Sequence, residues 1–176
     1  MKRSVAPWTI VLALVVAIGG LTAAMPARAQ FDTSVNPELS QDWYFRLGVF
    51  VAQSNTTRKI MGDVGISGTL ERRVYAASNY DLLIGLGYNG FDKVYSIPLL
   101  INLILHHNNI RYGLGAGYSF GKRDNGKGSN GVALDLILGY QLTHTTNPLS
   151  LDLRYFFISG SSNELDGYSL TLGYKF

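Results

Sequence analysis

Ten charged side chains fall on one side of an alternating pattern: Arg46, Arg73, Arg111, Arg154 and Lys175 against Asp63, Glu71, Asp81, Asp135 and Asp152. Side chains two residues apart share a face of a strand, so these groups would meet if the strands closed on themselves. Equal numbers of each sign suit a hydrogen-bonded ion-pair network, the form in which buried charge is tolerated. The three histidines, His106, His107 and His144, make a poor metal site, which needs more ligands in a fixed geometry. Adjacent His106 and His107 point to opposite faces of any strand and read as solvated turn residues.

Gly121–Asn130 (GKRDNGKGSN) carries Lys122, Arg123 and Lys127 against Asp124. On an outward loop these cations could contact lipopolysaccharide phosphates through charge-assisted hydrogen bonds; a soluble Gly-rich loop is the simpler reading. Ala116–Arg123 (AGYSFGKR) lacks the first Gly and the final Ser or Thr of a phosphate loop, and no helix follows it. No cofactor, metal or catalytic constellation is expected.

The elements that must position these residues are strands. From Asp42 onward the hydrophobic period is two. In Tyr168–Phe176 (YSLTLGYKF), Tyr168, Leu170, Leu172, Tyr174 and Phe176 oppose Ser169, Thr171, Gly173 and Lys175. The same split recurs in Trp43–Val51, Tyr80–Tyr88, Ile110–Phe120, Val132–Thr143 and Leu149–Ser159. Val64–Val74 alternates less cleanly, because Arg72 falls on its apolar side. Tyr95–Leu105 is apolar on both faces, and Pro98 within it argues against a helix. Turn residues separate the segments at Ser54–Ile60, Ala76–Asn79, Gly90–Lys93, His106–Asn109, Gly121–Asn130, His144–Pro148 and Gly160–Asp166. None is long enough for a parallel crossover. The pattern predicts an all-β chain, an eight-stranded antiparallel up-and-down β-barrel over residues 42–176, whose transmembrane or soluble character depends on which face looks inward.

The remaining residues read as export machinery. Lys2 and Arg3 precede the apolar run Trp8–Ile18, and Ala27-Arg28-Ala29 supplies a cleavage site before Gln30. Residues 1–29 are therefore expected to be a cleaved signal peptide, with an uncleaved anchor as the rival, and 30–41 a short periplasmic segment. The net charge of +3 comes from Lys2, Arg3 and Arg28. Without those three, 12 basic groups face 12 acidic ones, which removes the basic surplus that nucleic-acid binding requires. With no cysteine in 176 residues, disulfides, thiolate chemistry and a lipidated cysteine are excluded.

Soluble and membrane barrels share this alternation and differ in which face looks inward. The polar face here carries Gly85, Gly87, Gly113, Gly115, Gly117, Gly139 and Gly173, a poor coat for water but suited to a narrow barrel's inner wall. Tyr80 and Tyr88, Tyr112 and Phe120, and Tyr168 and Phe176 bracket three strands at eight-residue spacing. That spacing rises about 26 Å along a strand, or roughly 20 Å along the normal at a 40° tilt, near the height of an outer-membrane apolar band. Trp43, Tyr140 and Tyr174 complete the expected aromatic girdle.

Over residues 42–176 the chain resembles the small eight-stranded outer-membrane β-barrel proteins of Gram-negative bacteria, most specifically in the Tyr168–Phe176 ending. The resemblance implies that Tyr168, Leu170, Leu172, Tyr174 and Phe176 form the signal read by the barrel-assembly machinery, and that both termini lie in the periplasm. Arg154–Gly160 and Asp166–Leu170 also resemble part of the lipid A 3-O-deacylases, outer-membrane barrels of similar length. Ser159 then matches the nucleophile and Asp166 the acid, but Phe157 stands where the catalytic His belongs, and a serine without a base is a weak nucleophile. The expected product is a monomeric, non-catalytic barrel integral to the bacterial outer membrane, with a structural or surface-interaction role. Its partners would be outer-membrane lipid and lipopolysaccharide, not nucleic acid. The alternatives are a deacylase-like hydrolase and a narrow small-solute channel. Sixteen porin strands do not fit this length.

Overall fold

The structure, a computed structural model, describes residues 42–176 except 92, 124, 125 and 160–163. The expected signal peptide (1–29) and N-terminal segment (30–41) lie outside the described residues. Eight strands follow in chain order: β1 Trp43–Ala52, β2 Gly65–Ala76, β3 Tyr80–Phe91, β4 Val94–His107, β5 Ile110–Lys122, β6 Gly128–Gln141, β7 Leu149–Ile158 and β8 Gly167–Lys175. Each pairs antiparallel with its sequence neighbour, and β1 with β8, closing an up-and-down barrel. Closure is tight at the chain ends: Trp43 and Phe176 exchange both backbone hydrogen bonds at 2.9 Å.

Alternation along the strands becomes a strict division of faces. Outward residues include Leu47, Leu86, Ile101, Leu114, Leu136 and Leu172, each about half exposed, with Leu114 at 61%. Inward positions on the same strands are buried. β4, apolar on both faces in sequence, sends Val94, Leu100 and Ile104 inward with Ser96 and Asn102 between them. Several inner positions have no room for a side chain, Gly117 and Gly115 among them. A Cβ at Gly117 would lie 1.9 Å from the Leu99 carbonyl oxygen, and one at Gly115 would lie 1.9 Å from Asn102 Oδ1 and 3.0 Å from Asp135 Cβ.

Three features differ from the sequence expectation. Ser54–Ile60 is not merely a turn: Asn55–Met61 forms a short helix, α1, capped at Ser54, whose Oγ accepts from Thr57 N. Its Thr57 is fully buried and donates to the Glu164 carbonyl at 2.9 Å, so contact with the β7–β8 connection stabilises a helix too short to persist alone. β2 begins at Gly65 and carries a register shift between Arg73 and Tyr75. Arg72 stays on the outward, otherwise apolar face where the sequence puts it, its guanidinium 5.8 Å from the Trp43 ring. Asp63 lies on the exposed link between α1 and β2 and is not an inner-wall residue.

Candidate functional site

The barrel interior is built in layers from side chains of every strand. At the end carrying the β1–β2, β3–β4, β5–β6 and β7–β8 connections (the loop end), Phe50, Ala52, Val94, Leu100, Ala133, Phe156 and Ile158 form an apolar cluster. Leu165 joins it from the β7–β8 connection. Adjacent Asp166 accepts the Ile158 N–H at 2.8 Å, and its carbonyl accepts the Gln53 N–H. Arg123 makes a two-pronged contact with Glu164, at 2.6 and 3.1 Å. The connection is thus fastened to β1, α1, β7 and the loop-end continuation of β5.

Beneath that cluster lies the charged layer. Glu71 is its hub: it pairs with Arg46, accepts from Arg154 at 2.7 Å and from Asn102 at 3.0 Å. Arg46 Nε also donates to Asp152 at 2.8 Å, Arg154 meets Asp135 at 2.9 Å, and Arg111 approaches Asp152 at 3.7 Å. Ser150 Oγ donates to Asp152, and Thr69 Oγ1 accepts from Arg154. Three guanidinium and three carboxylate groups therefore neutralise one another, all nearly inaccessible to solvent. Below them Tyr44, Leu83, Ile104 and Ile137 form a second apolar layer; the guanidinium groups of Arg46 and Arg111 lie over the Tyr44 ring at 5.2 and 5.8 Å.

At the opposite mouth, where β1 begins and β8 ends, a second polar group closes the stack. Asp42 pairs with Arg73 and, at 3.2 Å, with Lys175. Asp81 meets Arg73 at 3.3 Å and His106 Nε2 at 2.9 Å. The ten charges expected on one face therefore divide: Arg46, Glu71, Arg111, Asp135, Asp152 and Arg154 in the central layer, Arg73, Asp81 and Lys175 at the mouth, Asp63 outside. Sequence reasoning missed Asp42 and misplaced His106, which is an inner-wall residue of β4 and not a solvated turn residue. The signal was there: Asp42 keeps the parity of Tyr44 and Arg46, and His106 that of Asn102 and Ile104.

The outer face carries aromatic residues at both ends. Near the termini are Trp43, Tyr80, Tyr112, Tyr140 and Tyr174, with Tyr75 stacked on Tyr80 and Phe176 on Tyr174. Towards the loop end are Tyr88, Phe120 and Tyr168, each packed against a second ring: Tyr95, Tyr118 and Tyr155, at centroid distances of 5.9, 5.2 and 4.8 Å. Tyr168, Leu170, Leu172, Tyr174 and Phe176 occupy the outward side of the closing strand.

The remaining candidates lie apart from one another. Ser159 Oγ accepts the Val132 N–H at 3.0 Å. It sits at the loop end, while His106 and His107 end β4 and His144 follows β6 at the other end. Phe157 is outward and exposed. Among the described residues no group of three or more His, Cys, Asp and Glu could hold a metal. Lys122 and Lys127 are exposed, whereas Arg123 is engaged by Glu164.

No family model matches the chain, and no curated protein matches it. Among solved structures it is similar to the crystal structure of Neisserial surface protein A, with a TM-score of 0.53 and 15% identity. That likeness covers 80% of this chain and 98% of the other, a correspondence of fold across almost the whole of that barrel. The chain has the fold of the small eight-stranded outer-membrane β-barrel proteins.

Proposed function

We propose that this chain is an integral outer-membrane barrel with a closed interior, serving a structural or surface-interaction role and not catalysis or general solute passage. The observation that carries the reading is the inversion of polarity. Leucine, isoleucine and valine coat the outside while ion pairs fill the inside, the reverse of a soluble ligand carrier. A wall with this much apolar surface needs a hydrocarbon solvent, and rings at both ends of the band suit the two membrane interfaces.

The layered interior supports a plug. An eight-stranded barrel is just wide enough for side chains to fill, and here two apolar layers flank the neutralised charges. Placing both termini in the periplasm makes the loop end the cell-exterior face. There α1, the β7–β8 connection and the exposed Lys122 and Lys127, with Arg123 held by Glu164 beside them, form the surface facing lipopolysaccharide or an external partner. The Tyr168–Phe176 strand is the segment offered to the assembly machinery, and the product is a monomer.

The test is to fold residues 30–176 into phospholipid vesicles and run them unheated and heated on a denaturing gel, with circular dichroism with and without lipid. A heat-dependent mobility shift and strand signal only with lipid are expected. A monodisperse strand-rich protein in plain buffer would overturn the membrane reading, and reproducible conductance in planar bilayers would overturn the closed interior.

A further inference from the structure

One charge breaks the apolar coat. Among the described strand residues, Arg, Lys, Asp and Glu side chains face inward, apart from Arg72 in β2 and Lys122. Lys122 is the last residue of β5, at the loop end. Arg72 stands inside its strand, which continues to Ala76. Its registered neighbours are Trp43 and Ile84, and Leu70 precedes it on the same face; all three are exposed and uncharged. The next outward ring towards the terminal end is Tyr75, stacked on Tyr80. Three strand residues rise about 10 Å, or roughly 7.5 Å along the normal at a 40° tilt, so Arg72 is rooted on the hydrocarbon side of those rings.

No protein carboxylate answers this cation. Among the described residues Arg72 has neither an ion pair nor a hydrogen bond. The acids beside it in sequence and across the register are engaged elsewhere: Glu71 with Arg46 and Arg154, Asp42 with Arg73 and Lys175. What holds the guanidinium is the Trp43 ring, 5.8 Å away. Cation–π attraction leaves the five N–H donors, which lie in the guanidinium plane, open to an acceptor. A cation facing lipid is costly at the bilayer midplane and nearly free at the interface, where headgroups answer it. The acceptor that matches the guanidinium fork two-pronged at that depth is a phosphodiester.

We propose that Arg72, backed by Trp43, seats the phosphate of one phospholipid headgroup in the leaflet at the terminal end of the barrel. This rests on the membrane reading above. It deepens that reading by giving the outer wall one fixed headgroup contact, at the single place inside its strands where an unanswered charge calls for an anion.

The experiment uses Trp43 as its own reporter. In the full chain, Trp8→Phe leaves Trp43 as the single tryptophan. This chain is folded into vesicles of equal parts phosphatidylethanolamine and phosphate-free digalactosyldiacylglycerol, with brominated acyl chains on one lipid or on the other. Bromine quenches a tryptophan it touches, and phosphatidylethanolamine has no net charge, so a difference between the two samples reads the phosphate and not bulk charge. Phosphatidylethanolamine is expected to be favoured at Trp43 about fivefold, and Arg72→Gln to bring the ratio to one. Lys122→Gln, at the loop end, and millimolar inorganic phosphate in the buffer are expected to leave the ratio unchanged. A folded barrel with a ratio of one, an excess that survives Arg72→Gln or is lost equally in Lys122→Gln, or displacement by inorganic phosphate would overturn the proposal. Absence of a heat-dependent gel shift in these vesicles would sink the membrane reading first.

Discussion

Replacing Arg154 by Met should produce a large loss of stability. Arg154 is 1% exposed and contacts Glu71, Asp135 and Thr69. Glu71 would keep Arg46 and Asn102, but Asp135 would lose the one cation in ion-pair range among the described residues, and its carboxylate oxygens have no hydrogen bond there. Removing one partner of a buried pair costs about 3–5 kcal/mol, because the other charge is left uncompensated. With a denaturant slope near 2 kcal/mol per M, the urea midpoint should fall by about 1.5–2.5 M. The assay is urea titration of the folded barrel in vesicles, followed by tryptophan emission and the gel shift. Adding Asp135→Asn removes the stranded charge and should restore at least about 1.5 kcal/mol of that loss, a coupling that independent sites do not show. A midpoint within about 0.5 M of wild type, or strictly additive losses, would refute a tightly paired charged layer.

Gly117→Ala drives a Cβ onto the Leu99 carbonyl and should cost about 1–3 kcal/mol in the same titration. Leu165→Ala, which withdraws the side chain seated in the loop-end cluster, should cost about 2–4 kcal/mol and speed proteolysis of the β7–β8 connection. Leu114→Arg places a charge on the outer band and should destabilise the barrel by about 2–4 kcal/mol in vesicles; a neutral effect would mean that this face meets water. Purified lipid A incubated with the folded barrel should be recovered intact, with Ser159→Ala indistinguishable from wild type. Release of a fatty acid that vanishes in the variant would instead establish a hydrolase.

The barrel was readable because a two-residue period is enforced by geometry alone. Once one face is apolar, a one-residue slip would expose every charge, so the parity of Arg46, Glu71, Asp135 and Arg154 could be read before any contact was known. Which acid meets which base was not readable, since Arg46 and Asp152 stand 106 residues apart and meet only through closure of β1 on β8. The register shift between Arg73 and Tyr75 was not readable, because a bulge resets parity without a composition mark. Helix α1 escaped notice because its stability comes from burial of Thr57 beneath Glu164, a tertiary contact, although Ser54 was a visible cap. His106 was misplaced by assigning the turn too early. Asn108 and Asn109 alone make it, with Asn108 in the left-handed region at φ 54°.

The central claim is that the apolar face meets lipid while the charged layer is shut away from both lipid and water. Since the chain has no cysteine, single cysteines along β6 at Ala133, Leu134, Leu136, Ile137 and Leu138 can each carry a nitroxide label. In vesicles, oxygen should relax the labels at 134, 136 and 138 strongly, while 133 and 137 stay shielded from oxygen and from a water-soluble nickel chelate. Nickel access at 133 and 137 would reveal an open aqueous interior, and oxygen access in the opposite phase would turn the barrel inside out; either would contradict the account.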